Sequence, residues 1–203
     1  MALKTYVKVS NINNLSDARY CAGMGVDVLG FPIDQQLPQP VSPEEFQEIT
    51  EWVSGPLFAG EFGPTTIEDV KLALRSYQLD IIEIQQIDLV ESVLLLGKPM
   101  FFKADVSTPK ALDALRSQLS YLDELVDAIT LTSTNAALTN ELTHFMSFYN
   151  GNVRLLRGFG LPAADADTYS NLGGIALEAT EEERPGNKDY GEVMDILESL
   201  EVD

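Results

Sequence analysis

The chain has 203 residues, enough for one domain with a full hydrophobic core and short for two. Of these residues, 45% are hydrophobic and 22% are charged, an ordinary globular balance. Acidic side chains outnumber basic ones by 32 to 13, which gives a formal net charge of −19 at pH 7. Such a surface repels phosphate backbones and anionic lipids, so nucleic acids and membranes are unfavourable partners. The apolar stretches are too short to span a bilayer, and the lone cysteine, Cys21, cannot form an internal disulfide. These features predict a cytoplasmic protein.

Short β-rich stretches alternate with amphipathic stretches along the chain. The predicted strands cover residues 6–9, 26–31, 56–62, 80–85, 99–104, 128–132, 153–157 and 174–177. The predicted helices cover residues 15–24, 43–53, 67–77, 89–96, 109–122, 136–148, 163–169 and 190–200. Strands that alternate with helices of this length predict a parallel sheet with right-handed crossovers. Because the eight units fill residues 1–203, they favour closure into a single (βα)8 TIM barrel domain.

Several predicted helices begin with capping signals. Ser42 precedes a proline and two glutamates, and Thr108 precedes a proline, which is the pattern of a capped helix start. In the second helix, Phe46, Ile49 and Trp52 recur at helical spacing. This spacing predicts that all three side chains belong to the core.

Three stretches, in chain order, carry the motifs of one family. Residues 7–12 read Val-Lys-Val-Ser-Asn-Ile, residues 80–85 read Asp-Ile-Ile-Glu-Ile-Gln, and residues 185–189 read Pro-Gly-Asn-Lys-Asp. They resemble phosphoribosylanthranilate isomerases, which read Val-Lys-Ile-Cys-Gly-Ile, Asp-Val-Val-Gln-Leu-His and Pro-Gly-x-Lys-Asp at these places. The resemblance implies a barrel of the ribulose-phosphate-binding type. For an intact family member, it also implies an aldose–ketose isomerase of tryptophan biosynthesis, which catalyses an Amadori rearrangement.

The residues that this reaction would need are changed. The resemblance places the family's general base, a cysteine, at Ser10 and its general acid, an aspartate, at Thr132. An alcohol is a far weaker acid than a thiol, and threonine cannot usefully donate a proton at neutral pH. Each positioned acid or base typically contributes about 10²–10⁴ in rate, so the loss of both would leave little turnover. Gln39 replaces the arginine that holds the anthranilate carboxylate, and Gln85 replaces the histidine of strand four.

The family's phosphate site is only partly retained. Gly158 and Gly160 remain after strand seven, where backbone amides of the family hold phosphate. Glu178 and the acidic residues after it stand where the family has Ser-Gly, and a carboxylate near a phosphate is repulsive. Arg157 and Arg184 could offset part of this repulsion. The sequence therefore leaves phosphate binding open.

Period-two alternation predicts which side chains face the interior at the strand ends. The inward set is Lys8, Ser10, Glu83, Gln85, Lys103, Asp105, Arg157 and Glu178. This set is compatible with a buried, mutually paired charge network or with a polar pocket for a small anionic or zwitterionic ligand. The ligand-binding candidates are Lys8, Asn11, Gln85, Lys103, Asp105, Arg157, Gly158, Gly160 and Glu178.

A divalent cation between Glu61, Asp105 and Glu178 is a further alternative, but no spacing requires it, and we expect neither a metal nor a cofactor.

Three functions remain open. The first is a barrel without isomerase activity that binds a small molecule or acts in regulation. The second is an active isomerase in which Lys8 acts with Glu83 or Asp105, which would require a carboxylic acid of raised pKa. The third is another sugar-phosphate conversion on the same barrel. A mouth plugged by paired Lys8, Glu83, Arg157 and Glu178 would favour the first function, and an open mouth would favour the other two.

Overall fold

The computed structural model describes residues 2–179 and 191–202, in which eight parallel strands close a barrel. Each strand pairs with the next, and β8 pairs with β1. The strands are β1 (Val7–Ser10), β2 (Val28–Pro32), β3 (Leu57–Glu61), β4 (Ile81–Ile84), β5 (Met100–Asp105), β6 (Ala128–Thr132), β7 (Arg154–Gly158) and β8 (Ile175–Glu178). The predicted (βα)8 TIM barrel is therefore confirmed.

Helices follow the strands around the outside of the barrel. They are α1 (Leu15–Gly23), α2 (Pro43–Thr50), α3 (Ile67–Ser76), α4 (Val90–Leu94), α5 (Pro109–Leu125), α6 (Thr139–Phe148), α7 (Ala166–Tyr169) and α8 (Gly191–Ser199). Short 3-10 turns precede α4, α6 and α7. At α6 and α7 they cover the first residues of the longer predicted helices, whereas α4 ends two residues before the predicted end. Across residues 2–179 and 191–202, none of the helices combines the length and hydrophobicity that a membrane span requires.

The capping signals form as predicted. The Ser42 side chain accepts a hydrogen bond from the Glu45 amide at 3.2 Å, and the Glu45 carboxylate accepts one from the Ser42 amide at 2.9 Å. Thr108 caps α5 through the Ala111 amide at 3.1 Å. These bonds satisfy amides that have no partner within the helix.

The core prediction for α2 is correct at two of its three positions. Phe46 and Ile49 are buried, but Trp52 is 71% exposed. The helix ends at Thr50, so helical spacing no longer directs the side chain of Trp52 toward the core. The prediction for this residue was wrong because it extended the helix by one turn.

An aspartate directly precedes each of β2, β4 and β6, at Asp27, Asp80 and Asp127. In each case a side-chain oxygen accepts a hydrogen bond from an amide at the start of the preceding strand. The donors are the amides of Val7, Phe58 and Met100, at 2.8, 2.9 and 2.8 Å. The repeated bond ties successive strands together at the N-terminal end of the barrel.

The barrel interior is apolar near this N-terminal end. One inward side chain from each of β2 to β8 forms a compact cluster: Val28, Ala59, Ile81, Phe101, Ala128, Leu156 and Ala176. A second, larger cluster packs the outer faces of the strands against the helices. Glu61 and Glu83 follow Ala59 and Ile81 of this cluster by two residues, so they lie on its C-terminal side, where TIM barrels hold their sites. Lys8 of β1 is in register with Val28 and Ala176 of the cluster, and its side chain reaches these two glutamates.

Candidate functional site at the barrel mouth

The ammonium group of Lys8 lies in the barrel interior and is fully buried. Its Nζ atom donates to Ser10 Oγ at 2.6 Å, to Glu61 Oε1 at 2.6 Å and to Glu83 Oε1 at 2.9 Å. We refer to Lys8, Ser10, Glu61 and Glu83 as the interior charge network. The three acceptors use all three protons of the ammonium group.

The two carboxylates of the network have further partners. Glu61 Oε2 accepts a hydrogen bond from the Asn11 amide at 3.2 Å, and Glu83 Oε2 accepts one from Thr130 Oγ1 at 3.0 Å. Asn11 has a φ of 59°, a left-handed conformation that asparagine and glycine tolerate best. Asparagine therefore suits this backbone turn, at the position where the resemblance places a glycine.

The network determines the charges of Lys8 and Glu61. Burial alone would lower the pKa of Lys8, but the adjacent Glu61 and Glu83 carboxylates outweigh it and hold the pKa above its ordinary value. Burial would raise the pKa of Glu61, but Lys8 and then Lys103 hold it below its ordinary value. Lys8 is therefore an ammonium at neutral pH, and it cannot act as a free amine nucleophile or base.

Gly30 of β2 makes room for this network. A Cβ atom at Gly30 would lie 2.2 Å from Glu61 Oε1 and 3.2 Å from Lys8 Nζ. The interior side of β2 therefore contributes space, which the Lys8–Glu61 ion pair fills.

A second ion pair lies above the network, at the mouth. Lys103 Nζ of β5 is 3.1 Å from Glu178 Oε1 of β8. The two strands are separated by β6 and β7, so the side chains meet across the opening. Their exposed fractions are 23% and 56%. We refer to Lys103 and Glu178 as the mouth pair.

The remaining candidates lie around the same rim. Gln85 is exposed directly after β4. Asp105 accepts hydrogen bonds from the amide and hydroxyl of Ser107, so it turns toward the loop after β5. Thr132 is half-buried and lies in register with Asp105 and Gly158 on the neighbouring strands.

The prediction that Arg157 faces the interior was wrong. Leu156 belongs to the interior cluster, and its neighbour Leu155 packs in the outer cluster. The Arg157 guanidinium donates to the carbonyls of Phe159 and Gly160 at 3.0 and 2.6 Å and lies over the rings of Phe159 and Tyr169. Arg157 therefore fixes the loop after β7, which contains Gly160 at a φ of 50°.

The alternative cation site of Glu61, Asp105 and Glu178 is not assembled. Each carboxylate has its own partner, and no group of three or more metal-ligating side chains forms within residues 2–179 and 191–202. Arg184, the acidic residues 181–183 and the Pro-Gly-x-Lys-Asp stretch lie outside the described residues.

Sequence reasoning missed the roles of Glu61 and Gly30. Glu61 was placed only in the cation alternative, although it follows the inward-facing Ala59 by two residues on β3. Period-two alternation applied to β3 would have placed it in the interior. The space beside Gly30 is filled by Glu61 of β3 and Lys8 of β1. Residues close to Gly30 in the sequence therefore give no sign that a glycine is needed there.

Comparisons with known proteins place the fold. No protein-family model and no curated protein matches the sequence. Phosphoribosylanthranilate isomerase from Thermotoga maritima aligns with a TM-score of 0.77 at 19% identity, over 97% of this chain and 98% of that chain. A phosphoribosylanthranilate isomerase in complex with reduced 1-(o-carboxyphenylamino)-1-deoxyribulose 5-phosphate aligns at 0.74 and 19%, with the same coverage. 3-Hexulose-6-phosphate synthase from Salmonella typhimurium aligns at 0.64 and 12%, over 97% and 98%. The resemblance read from the sequence is therefore confirmed at the level of the fold.

Proposed function

We propose that this chain is a divergent phosphoribosylanthranilate isomerase-like barrel that lacks the Amadori isomerase activity. It acts instead as a binding or regulatory protein for a small anionic or zwitterionic molecule at the mouth. The observation that supports this proposal is the pairing of Lys8 with Glu61 and Glu83 in a buried network. All three protons of the Lys8 ammonium and all four carboxylate oxygens of Glu61 and Glu83 are bonded within the protein, so the interior offers no free acid or base to a substrate.

The environment of Ser10 argues against a role as general base. Its Oγ atom accepts a hydrogen bond from the Lys8 ammonium at 2.6 Å, and the residue is only 2% exposed. An ammonium beside the hydroxyl opposes protonation of that oxygen, and burial limits contact with a sugar carbon. Ser10 is thus a member of the network rather than a replacement for the family's cysteine.

The position of the family's general acid is equally unfavourable for catalysis. Thr132 is held near the Ala104 carbonyl, with Oγ1 3.4 Å from the carbonyl oxygen. The nearby carboxylate of Asp105 is bonded to Ser107. Neither of these two side chains is therefore free to protonate a ring oxygen, and ring opening lacks the acid that the family uses.

The alternative is an active isomerase with a rebuilt acid–base pair. It is favoured by the carboxylate of Glu61, which shares the Lys8 ammonium with Ser10. In that mechanism the Lys8 ammonium would protonate the ring oxygen as the ring opens, and Glu61 or Glu83 would remove the C2 proton. Another sugar-phosphate conversion would use the same groups.

The deciding experiment follows the fluorescence decay of freshly generated phosphoribosylanthranilate with a high concentration of protein. The unmodified chain is compared with Ser10→Cys/Thr132→Asp, with Lys8→Ala and with the surface control Lys71→Ala. Lys71 forms an exposed pair with Glu68 on α3, so its loss should change nothing. We expect no turnover above background from the unmodified chain.

The outcomes separate the proposals. Turnover by the unmodified chain and by Lys71→Ala would overturn the proposed function. Loss of that turnover in a Lys8→Ala protein that keeps the circular dichroism spectrum of the unmodified chain would support a rebuilt pair. Activity that appears only in Ser10→Cys/Thr132→Asp would support the proposal and show that the substrate pocket persists. Absence of turnover in every variant would support the proposal that both the reaction and its substrate pocket have been lost.

A further inference from the structure

The mouth pair lies where a ligand must enter. TIM barrels bind their ligands at the C-terminal ends of the strands, and Lys103 and Glu178 meet there across the opening. The floor beneath them is the interior charge network, in which Lys8 is satisfied by its own partners. Lys103 and Glu178 are therefore the charged groups that can exchange their mutual contact for contacts with a ligand.

The charges around the mouth restrict what such a ligand can be. A simple anion that binds Lys103 would displace Glu178 and leave that carboxylate unpaired, close to the new anion. A simple cation that binds Glu178 would leave Lys103 unpaired. A zwitterion would replace one ion pair with two and leave neither charge without a partner.

We infer that the mouth pair recognises a compact zwitterion, an amino-acid-like molecule whose carboxylate binds Lys103 and whose ammonium binds Glu178. This inference rests on the proposed small-molecule-binding function and names its ligand class. Both side chains are long and partly exposed, so they can separate without movement of the strands. The net charge of the mouth is the same before and after binding.

The surroundings favour this exchange. The Glu61 carboxylate in this floor attracts the ammonium of Lys103. Lys103 is therefore retained at the mouth when Glu178 moves away from it. Asn11 and Gln85 directly follow β1 and β4 on the same rim, and Gln85 is exposed there.

The test is isothermal titration calorimetry at low ionic strength with glycine as the probe. Acetate and methylammonium are titrated as half-ligands that carry one of its two charges. We expect glycine to bind at least about tenfold more tightly than either half-ligand.

Variants of the mouth pair test which charge each residue binds. Glu178→Gln should remove the higher affinity of glycine relative to acetate, and Lys103→Met should remove its higher affinity relative to methylammonium. Lys71→Met, which breaks an exposed pair on α3, is the matched control and should change neither ratio.

Two results would overturn the inference: glycine that binds no more tightly than acetate and methylammonium, or an advantage of glycine that persists unchanged in both mouth variants. The readout is heat of binding, so it is independent of isomerase turnover. Isomerase activity with the glycine preference intact would overturn only the proposed function. Absence of both activity and preference would overturn only the inference about the mouth pair.

Discussion

Lys8 and Glu61 form an ion pair inside the barrel, with 2.6 Å between Lys8 Nζ and Glu61 Oε1 and side-chain exposures of 0% and 8%. A buried pair of this kind does not by itself add much stability, because both charges have left water. Removal of one partner is costly, since the other charge remains buried without compensation. The interior charge network should therefore tolerate single substitutions poorly.

Lys8→Met should destabilise the protein strongly. The substitution keeps the length of the side chain but leaves Glu61 and Glu83 buried without their cation, which typically costs about 3–5 kcal/mol. Urea unfolding measures the change. The control is Lys71→Met, whose exposed pair with Glu68 is worth about 1 kcal/mol or less. Equal losses in the two variants would show that the interior pairing is unimportant.

The contribution of Glu61 to the free energy of unfolding should decrease as the solution is acidified. Lys8, opposing the effect of burial, holds the folded-state pKa of Glu61 below its ordinary value. Its stabilisation is thus present above the unfolded pKa of about 4.3 and is lost as the pH falls through the folded value. The stability gap between the unmodified chain and Glu61→Gln should be constant near neutral pH and shrink below about pH 4.3.

Thermal unfolding across this pH range measures the gap. Glu68→Gln serves as the control, because its exposed pair contributes little at any pH. A gap that widens as the solution is acidified would contradict the assignment of Glu61 as a buried, charged partner of Lys8.

The strands were predictable because their apolar runs and turn residues are local. The face that each strand presents to the interior was harder to predict, and β7 shows why. Both faces of a strand in this fold are buried, one under the helices and one in the interior, so both carry apolar residues. Val153 and Leu155 could therefore be assigned to the interior as easily as Leu156, and Arg157 was assigned with them.

The site was predictable residue by residue but not contact by contact. Lys8 and Glu83 were placed in the interior by alternation, and both lie there. The partner of Lys103 is Glu178, 75 residues further along the chain, and only closure of the barrel brings them together. No local pattern encodes such a contact.

Asp127→Ala should destabilise the barrel by about 0.5–2 kcal/mol, because the Met100 amide loses its side-chain acceptor. Asp127→Asn is the matched variant, since it keeps an oxygen that can accept the same bond, and it should lose less. Chemical denaturation of the two variants gives the comparison. Equal losses would mean that the charge, rather than the hydrogen bond to β5, stabilises the N-terminal end.

Gly30→Ala should destabilise the protein by about 1–3 kcal/mol, because the new methyl group would overlap the Lys8–Glu61 ion pair, with 2.2 Å from Cβ to Glu61 Oε1. Gly23→Ala is the matched control. Gly23 ends α1, and a Cβ there meets nothing within 4 Å, so alanine should be neutral or stabilise by up to about 1 kcal/mol. Urea unfolding of both variants tests the difference, and a Gly30→Ala protein as stable as Gly23→Ala would show that the pair does not fill the space beside β2.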